Sequence, residues 1–321
     1  MRILITGATG YLGRAVVTAC LAAGHETLSF SRHAAGAHLP GEAVDGDVRD
    51  EEALRRAMAG CDGVCHLAAL VAVWRRRPRE FDEVNVGGLR NVLAAATAHG
   101  IGRLVYTSSF LALPPGGDQS PRRWNDYQRT KVEADRLAGA AVERGVPVVR
   151  MYPGVIYGPG VMTDGNLVGR SIADHLAGRL PGVVGADRVW SFSWVEDVAL
   201  AHVRALERGA PGARYALGGE HAPQMRIYEL VRELTGRPLP RRLPAWAAVA
   251  AGAAAETWAS LTGRAPLLTV DTVEVLLRDW AVPSDEAAHA LGYRVTPLRD
   301  GIARIVAELA QASRAPEAGL R

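Results

Sequence analysis

Tyr127 and Lys131 stand four residues apart, a spacing that sets two side chains on one face of a helix. An ammonium beside a phenol stabilises the phenolate and lowers the tyrosine pKa. Such a pair can exchange protons with a substrate near neutral pH. Lys131 is also the only lysine among 37 basic residues. Ammonium and guanidinium differ in size, hydration and donor geometry, so a lysine kept against that bias marks a place arginine cannot fill. Upstream, Tyr106-Thr107-Ser108-Ser109 closes an apolar run that reads as a strand. A hydroxyl at that strand end would hydrogen-bond the substrate oxygen beside the tyrosine. Ser109 is the choice and Ser108 the competitor.

A second constellation begins at residue 7. Gly7-Ala8-Thr9-Gly10-Tyr11-Leu12-Gly13 follows a short strand, Arg2–Thr6, and opens the helical apolar spacing of residues 12–23. Glycines there let the backbone turn tightly and approach a pyrophosphate at the helix N-terminus. Gly7, Thr9, Gly10, Tyr11, Leu12 and Gly13 are therefore candidate dinucleotide ligands. An NAD site places an acid about 20 residues further on, at the ribose diol. Here residues 29–33 are Ser-Phe-Ser-Arg-His, and Arg32 stands 19 residues after Gly13. An arginine there can grip a 2′-phosphate bidentately, with Arg14 as a second ligand. The reading is NADP(H) in preference to NAD(H). Asp47 and Val48 would flank the adenine. The small segment Leu67-Ala68-Ala69 would leave room for the pyrophosphate and nicotinamide ribose, beside Thr107 and Ser108.

These residues need a scaffold, and the first half of the chain supplies strand and helix patterns in alternation. Strand candidates fall at 2–6, 26–30, 63–67, 103–108 and 146–151, and helix candidates at 12–23, 51–58, 82–98 and 125–144. Alternation of this kind builds a parallel sheet covered on both faces. The expected class is α/β: a doubly wound Rossmann sheet, mainly residues 1–155, and a smaller mixed α/β substrate region, mainly 156–321, with some segments returning to the sheet. MYPGVIYGPGVMTDGN, from Met151, reads as a glycine- and proline-rich loop. Later helices are expected near 227–234 and 298–309.

Composition removes several function classes. The chain has 321 residues, 48% hydrophobic and 22% charged, which excludes a disordered or fibrous protein. A net charge of +3 gives no reason to expect nucleic acid as a partner. Cys20, Cys61 and Cys65 are odd in number and lack metal-knuckle spacing, so reduced thiols and no metal are expected. The opening MRILIT runs into the glycine loop without a signal-peptide pattern, and a cytoplasmic protein is expected. The alanine-rich run 245–255 is too short and too weakly apolar to span a bilayer, and no membrane partner is expected.

Together GATGYLG, GDVRD, HLAA, NVGGLRNVL, VYTSS, YQRTK, VIYGPG, WVEDVALAH and ALGYRVTPLRDGI resemble the extended short-chain dehydrogenase/reductase family over almost the whole chain. The resemblance is strongest to its dihydroflavonol-4-reductase-like and 3β-hydroxysteroid-dehydrogenase-like branch. It implies a catalytic triad of Ser109, Tyr127 and Lys131, with Tyr127 exchanging the proton, Lys131 also binding nicotinamide ribose and Ser109 polarising the carbonyl. It implies that Pro153, Gly154 and Val155 pack beside the nicotinamide, and that the protein is a homodimer joined through the helix carrying the Tyr–Lys pair.

Departures from the family narrow the reaction. Sugar-nucleotide dehydratases carry Asp-Glu where this chain has Phe110-Leu111, so the acid and base for water elimination are missing. Epimerases of the family often carry Phe-Asn before the loop proline, where this chain has Met151-Tyr152. Arg170, Arg179 or Arg188 could still hold a substrate diphosphate. The substrate pocket reads as apolar, with Trp74, Phe110, Leu111, Leu113, Tyr157, Val161, Met162 and Trp190 as candidates and Phe192 and Trp194 in the same alternation. The expected function is NADP(H)-dependent hydride transfer to or from an apolar carbonyl or alcohol. The rivals are a nucleotide-sugar epimerase with tightly held NAD and a non-catalytic dinucleotide sensor, which would not need the Tyr–Lys pair.

Overall fold

The computed structural model describes residues 1–114 and 125–314. The first half alternates as β1 (Arg2–Thr6), α1 (Tyr11–Ala22), β2 (Glu26–Ser31), β3 (Glu42–Asp45), α2 (Glu51–Met58), β4 (Gly63–His66), α3 (Arg79–Phe81), α4 (Gly88–Ala98), β5 (Arg103–Thr107), α5 (Asp126–Glu143) and β6 (Val148–Pro153). The second half contains β7 (Val155–Tyr157), α6 (Leu167–Leu176), β8 (Val183–Val184), β9 (Val189–Trp194), α7 (Val195–Arg208), β10 (Arg214–Leu217), β11 (Glu220–Pro223), α8 (Met225–Thr235), β12 (Arg242–Leu243), α9 (Ala245–Thr262), α10 (Val270–Leu276), α11 (Asp285–Leu291) and α12 (Leu298–Arg314).

Seven parallel strands form the main sheet in the order β10-β6-β5-β4-β1-β2-β3. Strands buried on both faces carry continuous apolar runs, and Ile3, Leu4, Ile5, Val64, Leu104 and Val105 are fully buried. One face is covered by α1, α7 and α11, the other by α2, α4 and α5. The order reverses between β1 and β4, and a crevice at such a switch point is where ligands bind in open α/β sheets. Both α7 and β10 come from the second half of the chain.

The second lobe is built on a three-stranded sheet, β11-β9-β7. Its core holds Tyr157, Trp190, Phe192, Trp194 and Trp280, packed against α6, α8 and α12. Two local expectations change here. Residues 151–157 are strand, broken only at Gly154, and the loop begins at Gly158. Glycine marks a close approach there: a Cβ on Gly154 would lie 2.6 Å from the Ser191 carbonyl oxygen. The helix expected at 82–98 begins instead at Arg79 and passes through a π-helical stretch, Asp82–Gly87, before α4. Such bulges turn one side chain out of register, often at functional sites, and here Asn85 points into the fold.

The sharpest packing constraint lies under the glycine loop. A Cβ on Gly13 would stand 2.2 Å from the Gly7 carbonyl oxygen, a contact no rotamer relieves. Gly13→Ala is expected to destabilise the protein by about 1–3 kcal/mol, the range for overpacking. Thermal unfolding of the variant should show a midpoint several degrees below that of the native chain; an unchanged midpoint would mean the loop is not held in this geometry.

Candidate active site

The site is assembled around the first turns of α5. Asn125 caps the helix by accepting from the Gln128 N–H at 2.8 Å, which sets where the helix begins. Tyr127 and Lys131 then fall one turn apart, facing the end of β5. Lys131 is only 3% exposed, and its Nζ donates to the Thr107 carbonyl oxygen at 2.8 Å. It also lies 5.4 Å from the centre of the Tyr106 ring. Burial pushes its pKa down to about 8, against the pull of Asp135. Tyr127 moves the other way. Burial pushes its phenol up to about 12, opposed by a hydrogen bond with the Ser109 hydroxyl. The expected lowering of the phenol pKa by Lys131 is therefore outweighed in this site by desolvation.

Ser109 leaves the end of β5 in extended conformation and caps a short 3₁₀ turn, Phe110–Ala112, accepting from the Leu111 N–H at 3.2 Å. Its neighbour Ser108 is buried, with its hydroxyl unpartnered. Thr107 is fixed from below: its hydroxyl meets His202 Nε2 at 2.8 Å, while His202 Nδ1 lies 2.7 Å from the Val198 carbonyl. Asn85 ties the site to the next loop, donating to Thr130 Oγ1 at 2.9 Å and accepting from the Leu70 N–H at 2.7 Å. His66, at the end of β4, meets Thr6 Oγ1 at 2.7 Å through Nδ1, and burial lowers its pKa to about 3, with Lys131 adding to the effect. His66 is therefore neutral. Sequence reasoning passed over Asn85, His66 and His202 as individual residues. All three lie inside segments it quoted for the family, NVGGLRNVL, HLAA and WVEDVALAH.

The glycine loop fits a dinucleotide. Gly7 has φ +72°, and a Cβ there would lie 2.7 Å from the Ala68 nitrogen, so Leu67, Ala68 and the loop touch directly. The Ala68 N–H reaches Thr6 Oγ1 at 3.4 Å. No side chain caps the N-terminus of α1, and its first turn carries no acid, whereas α2, α5, α6 and α10 are each capped by a side chain. The α1 N–H groups and dipole thus face the switch point, as a pyrophosphate requires. Arg14 Nε donates to the Thr9 carbonyl at 3.3 Å. Arg32, just past β2, is exposed and makes no ion pair among the described residues. Its field helps hold the Asp47 carboxyl below the usual range, although the main cause is Arg49, 2.6 Å away.

Other expected residues divide. Pro153 ends β6 opposite Leu217, and Val155 is buried beside Phe192 in the neighbouring sheet. Val48 packs against Gly88, where a Cβ would meet it at 2.8 Å, and Ala69 and Leu12 are half-buried. Tyr11 is buried with its ring toward Gly158, Gly160 and Gly165, fastening that loop to α1. Phe110 stands next to Ser109 and meets Trp280 edge-on at 5.3 Å and Trp190 at 6.2 Å. Phe110 and Trp280 border a cleft of about 220 Å³, lined also by Leu113, Pro114 and residues 281–283. Trp280 was not anticipated; its signal is an isolated tryptophan between two breaks in pattern. Leu111 is buried beneath the turn, and Trp74 is half-buried in the loop after β4. Tyr157, wholly buried against Trp194 at 5.4 Å, belongs to the core, and Met162 is 43% exposed away from the aromatic wall. Arg170, Arg179 and Arg188 are each paired, with Asp164, Asp174 and Asp279. Among the described residues no cluster of side chains could hold a metal, and no helix is long and apolar enough to cross a membrane.

Residues 3–218 match the model of the NAD dependent epimerase/dehydratase family. The chain is 36% identical over 256 residues to sterol demethylase protein B of Methylococcus capsulatus, covering 75% of this chain and 76% of that one. It is 34% identical to a 2-alkyl-3-oxoalkanoate reductase of Stenotrophomonas maltophilia, covering 74% and 77%. Among solved structures it resembles MoeE5 in complex with UDP-glucose and NAD, with a TM-score of 0.77, 25% identity and coverage of 98% and 100%.

The buried ammonium gives a pH signature. Below about 8 both folded and unfolded chains keep Lys131 charged, so the full burial cost, on the order of 3 kcal/mol, is present. Between about 8 and the ordinary 10.5 the unfolded chain holds a proton the folded chain has released, and native stability gains. Lys131→Met is expected to be more stable than the native chain at neutral pH, by about 1–3 kcal/mol, with the gap closing toward pH about 10. Denaturant unfolding at both pH values checks this; a gap that does not change with pH would place the ammonium in water.

Proposed function

The chain belongs to the NAD dependent epimerase/dehydratase family and is an NAD(P)-dependent short-chain dehydrogenase/reductase of the extended type, and on that premise we propose that it is an NADP(H)-dependent reductase of an apolar ketone or aldehyde. The observation that carries this reading is the buried Lys131, held on the Thr107 carbonyl one helical turn from Tyr127 and beside the Ser109 strand end, where Phe110 meets Trp280. The nicotinamide supplies the hydride when bound. Tyr127, kept protonated by burial, gives its proton to the substrate oxygen as charge develops there. Ser109 donates to the same oxygen and holds the carbonyl in line. Lys131 has three N–H donors, and Thr107 uses one. The remaining two fit the ribose hydroxyls, and its charge favours the phenolate left behind.

Three features support the direction and the class. A phenol raised to about 12 is protonated at neutral pH, so Tyr127 holds the proton that reduction requires. Phe110, Trp190 and Trp280 supply apolar contact but no acid–base pair for dehydration. Relatives of the chain include a 2-alkyl-3-oxoalkanoate reductase and a putative dihydroflavonol 4-reductase of Synechocystis. The epimerase reading is weaker because Arg170, Arg179 and Arg188, the candidate diphosphate ligands, are already neutralised by carboxylates. The sensor reading leaves the Tyr–Lys pair without a purpose.

Cofactor preference rests on Arg32, which is exposed and without an ion pair among the described residues, at the rim where a 2′-phosphate would lie. Fluorescence titration is expected to show NADPH binding at least about tenfold tighter than NADH, and Arg32→Ala is expected to remove that difference without weakening NADH. Equal loss for both cofactors, or NAD copurifying with the protein, would overturn the NADP(H) assignment. Lys131→Arg is expected to retain the fold and lose about 10²-fold or more in turnover; near-native rates would remove Lys131 from the mechanism.

A further inference from the structure

The helix α9 is built inside out. Its inward stripe is small: Ala248 and Ala259 are buried, and Gly252 lies so close to α10 that a Cβ would meet the Thr269 carbonyl carbon at 3.0 Å. Its large residues point outward. Trp246 is 76% exposed, Trp258 62% and Leu261 78%, and Leu267 just beyond the helix is 91% exposed. The alanines between them, Ala250, Ala253 and Ala254, are exposed as well. A helix serving only the core turns its large apolar residues inward. The only charged side chain in residues 245–262 is Glu256, and it turns back to accept from the Val270 N–H at 2.8 Å. The outward face is thus uncharged and mostly apolar, interrupted by Thr257 and Ser260, whose hydroxyls donate to the helix's own carbonyls.

Arginines bracket this face. Arg241 stands before the helix and Arg264 after it, and the Arg76 guanidinium from the loop after β4 comes within 3.3 Å of where a Cβ on Gly263 would sit. All three are exposed, and none has a carboxylate partner among the described residues. We propose that α9 and the residues at its two ends form a docking surface for an anionic bilayer, with Trp246, Trp258, Leu261 and Leu267 entering the headgroup–acyl boundary and the arginines meeting lipid phosphates. Tryptophan is favoured at that boundary because its ring is apolar and its N–H polar, and unpaired arginines are attracted to an anionic leaflet. The helix lies on the bilayer and does not cross it, consistent with its low apolarity and length. A second copy of the chain fits less well. An isologous antiparallel pairing of two α9 helices would bring Arg241 of one against Arg264 and Arg76 of the other, all of one sign.

The test is sedimentation of the full chain with vesicles, which needs no turnover and so stands or falls apart from the proposed reaction. The native protein is expected to pellet with vesicles of equal parts phosphatidylglycerol and phosphatidylcholine, less with phosphatidylcholine alone, and less as salt rises. A Trp246→Ser/Trp258→Ser/Leu261→Ser variant, folded by circular dichroism, is expected to lose roughly tenfold or more of that binding. Arg241→Ser/Arg264→Ser is expected to lose several-fold at low salt only. Quenching of native tryptophan fluorescence by brominated lipid checks the same contact without any substitution. A native protein that stays in the supernatant, or a triple variant that pellets like native, overturns the proposal. So does a lipid-free native dimer that the triple variant converts to monomer, which would assign the face to self-association.

Discussion

A single buried ammonium organises the site. Lys131 sits almost out of reach of water, with one protein carbonyl as its hydrogen-bond partner, and carries a desolvation cost on the order of several kcal/mol. Such a group persists only where the surroundings over-determine it. Here they do so from both ends. The N-cap at Asn125 fixes the start of α5, so Lys131 cannot slide along the helix. The Thr107 carbonyl is fixed because its own hydroxyl is held by His202, which is held in turn by the Val198 carbonyl on α7. The catalytic face of α5 is therefore positioned against the second half of the chain through β5 and α7. A structural lysine would not need this: burying an apolar side chain of similar length would be less costly. The retained charge is the sign of a task.

The same economy of contact shapes the cofactor side. Gly7 and Gly13 are not loose residues in a loop; each stands where an added carbon would strike backbone. Their closeness presses β1, the loop after β4 and the start of α1 into one unit at the point where the strand order reverses. Thr6 lies at the centre of that unit, meeting His66 and the Ala68 N–H with one hydroxyl. His66 stays neutral under burial and the nearby Lys131 charge. A second cation there would compete with the one that the site uses, so the lowered pKa of His66 and the retained proton of Lys131 belong together.

Much of this was legible from residue types and spacing. The glycine loop, the Tyr–Lys pair and the alternation of strand and helix are local signals, and they placed five of the sheet's strands, α1 and α5 within about two residues, while β3 and β10 were given no bounds. What escaped has physical reasons. The π-helical stretch at Asp82–Gly87 follows from a tertiary demand, the reach of Asn85 toward Leu70 and Thr130, which periodicity does not encode. Residues 151–157 looked like a loop because proline and glycine punctuate them, yet both sit at the jump between two sheets and the strands continue around them. Tyr157 and Trp190 looked alike as pocket residues, but packing buries both in the core of the second lobe, with Trp190 backing Phe110. Sequence shows which charge stands near Tyr127 but not how much water has been lost around it, and here burial raises its phenol.

The second lobe shows how the fold separates these tasks. Its bulky aromatics fall into two groups. Tyr157 meets Phe192 and Trp194, while Trp190 and Trp280, buried in the same core, back Phe110 to form a wall beside Ser109. The wall is held by backbone, since both Trp190 and Trp280 donate their ring N–H groups to carbonyls of the α10 region, Arg278 and Val275. An indole anchored in this way offers an apolar face at a fixed position and spends its only donor elsewhere. The wall therefore presents apolar ring surface whose N–H donors are already used. Since α10 carries these carbonyls and packs directly on α9, the geometry of the wall is tied to the helix whose outer face is apolar.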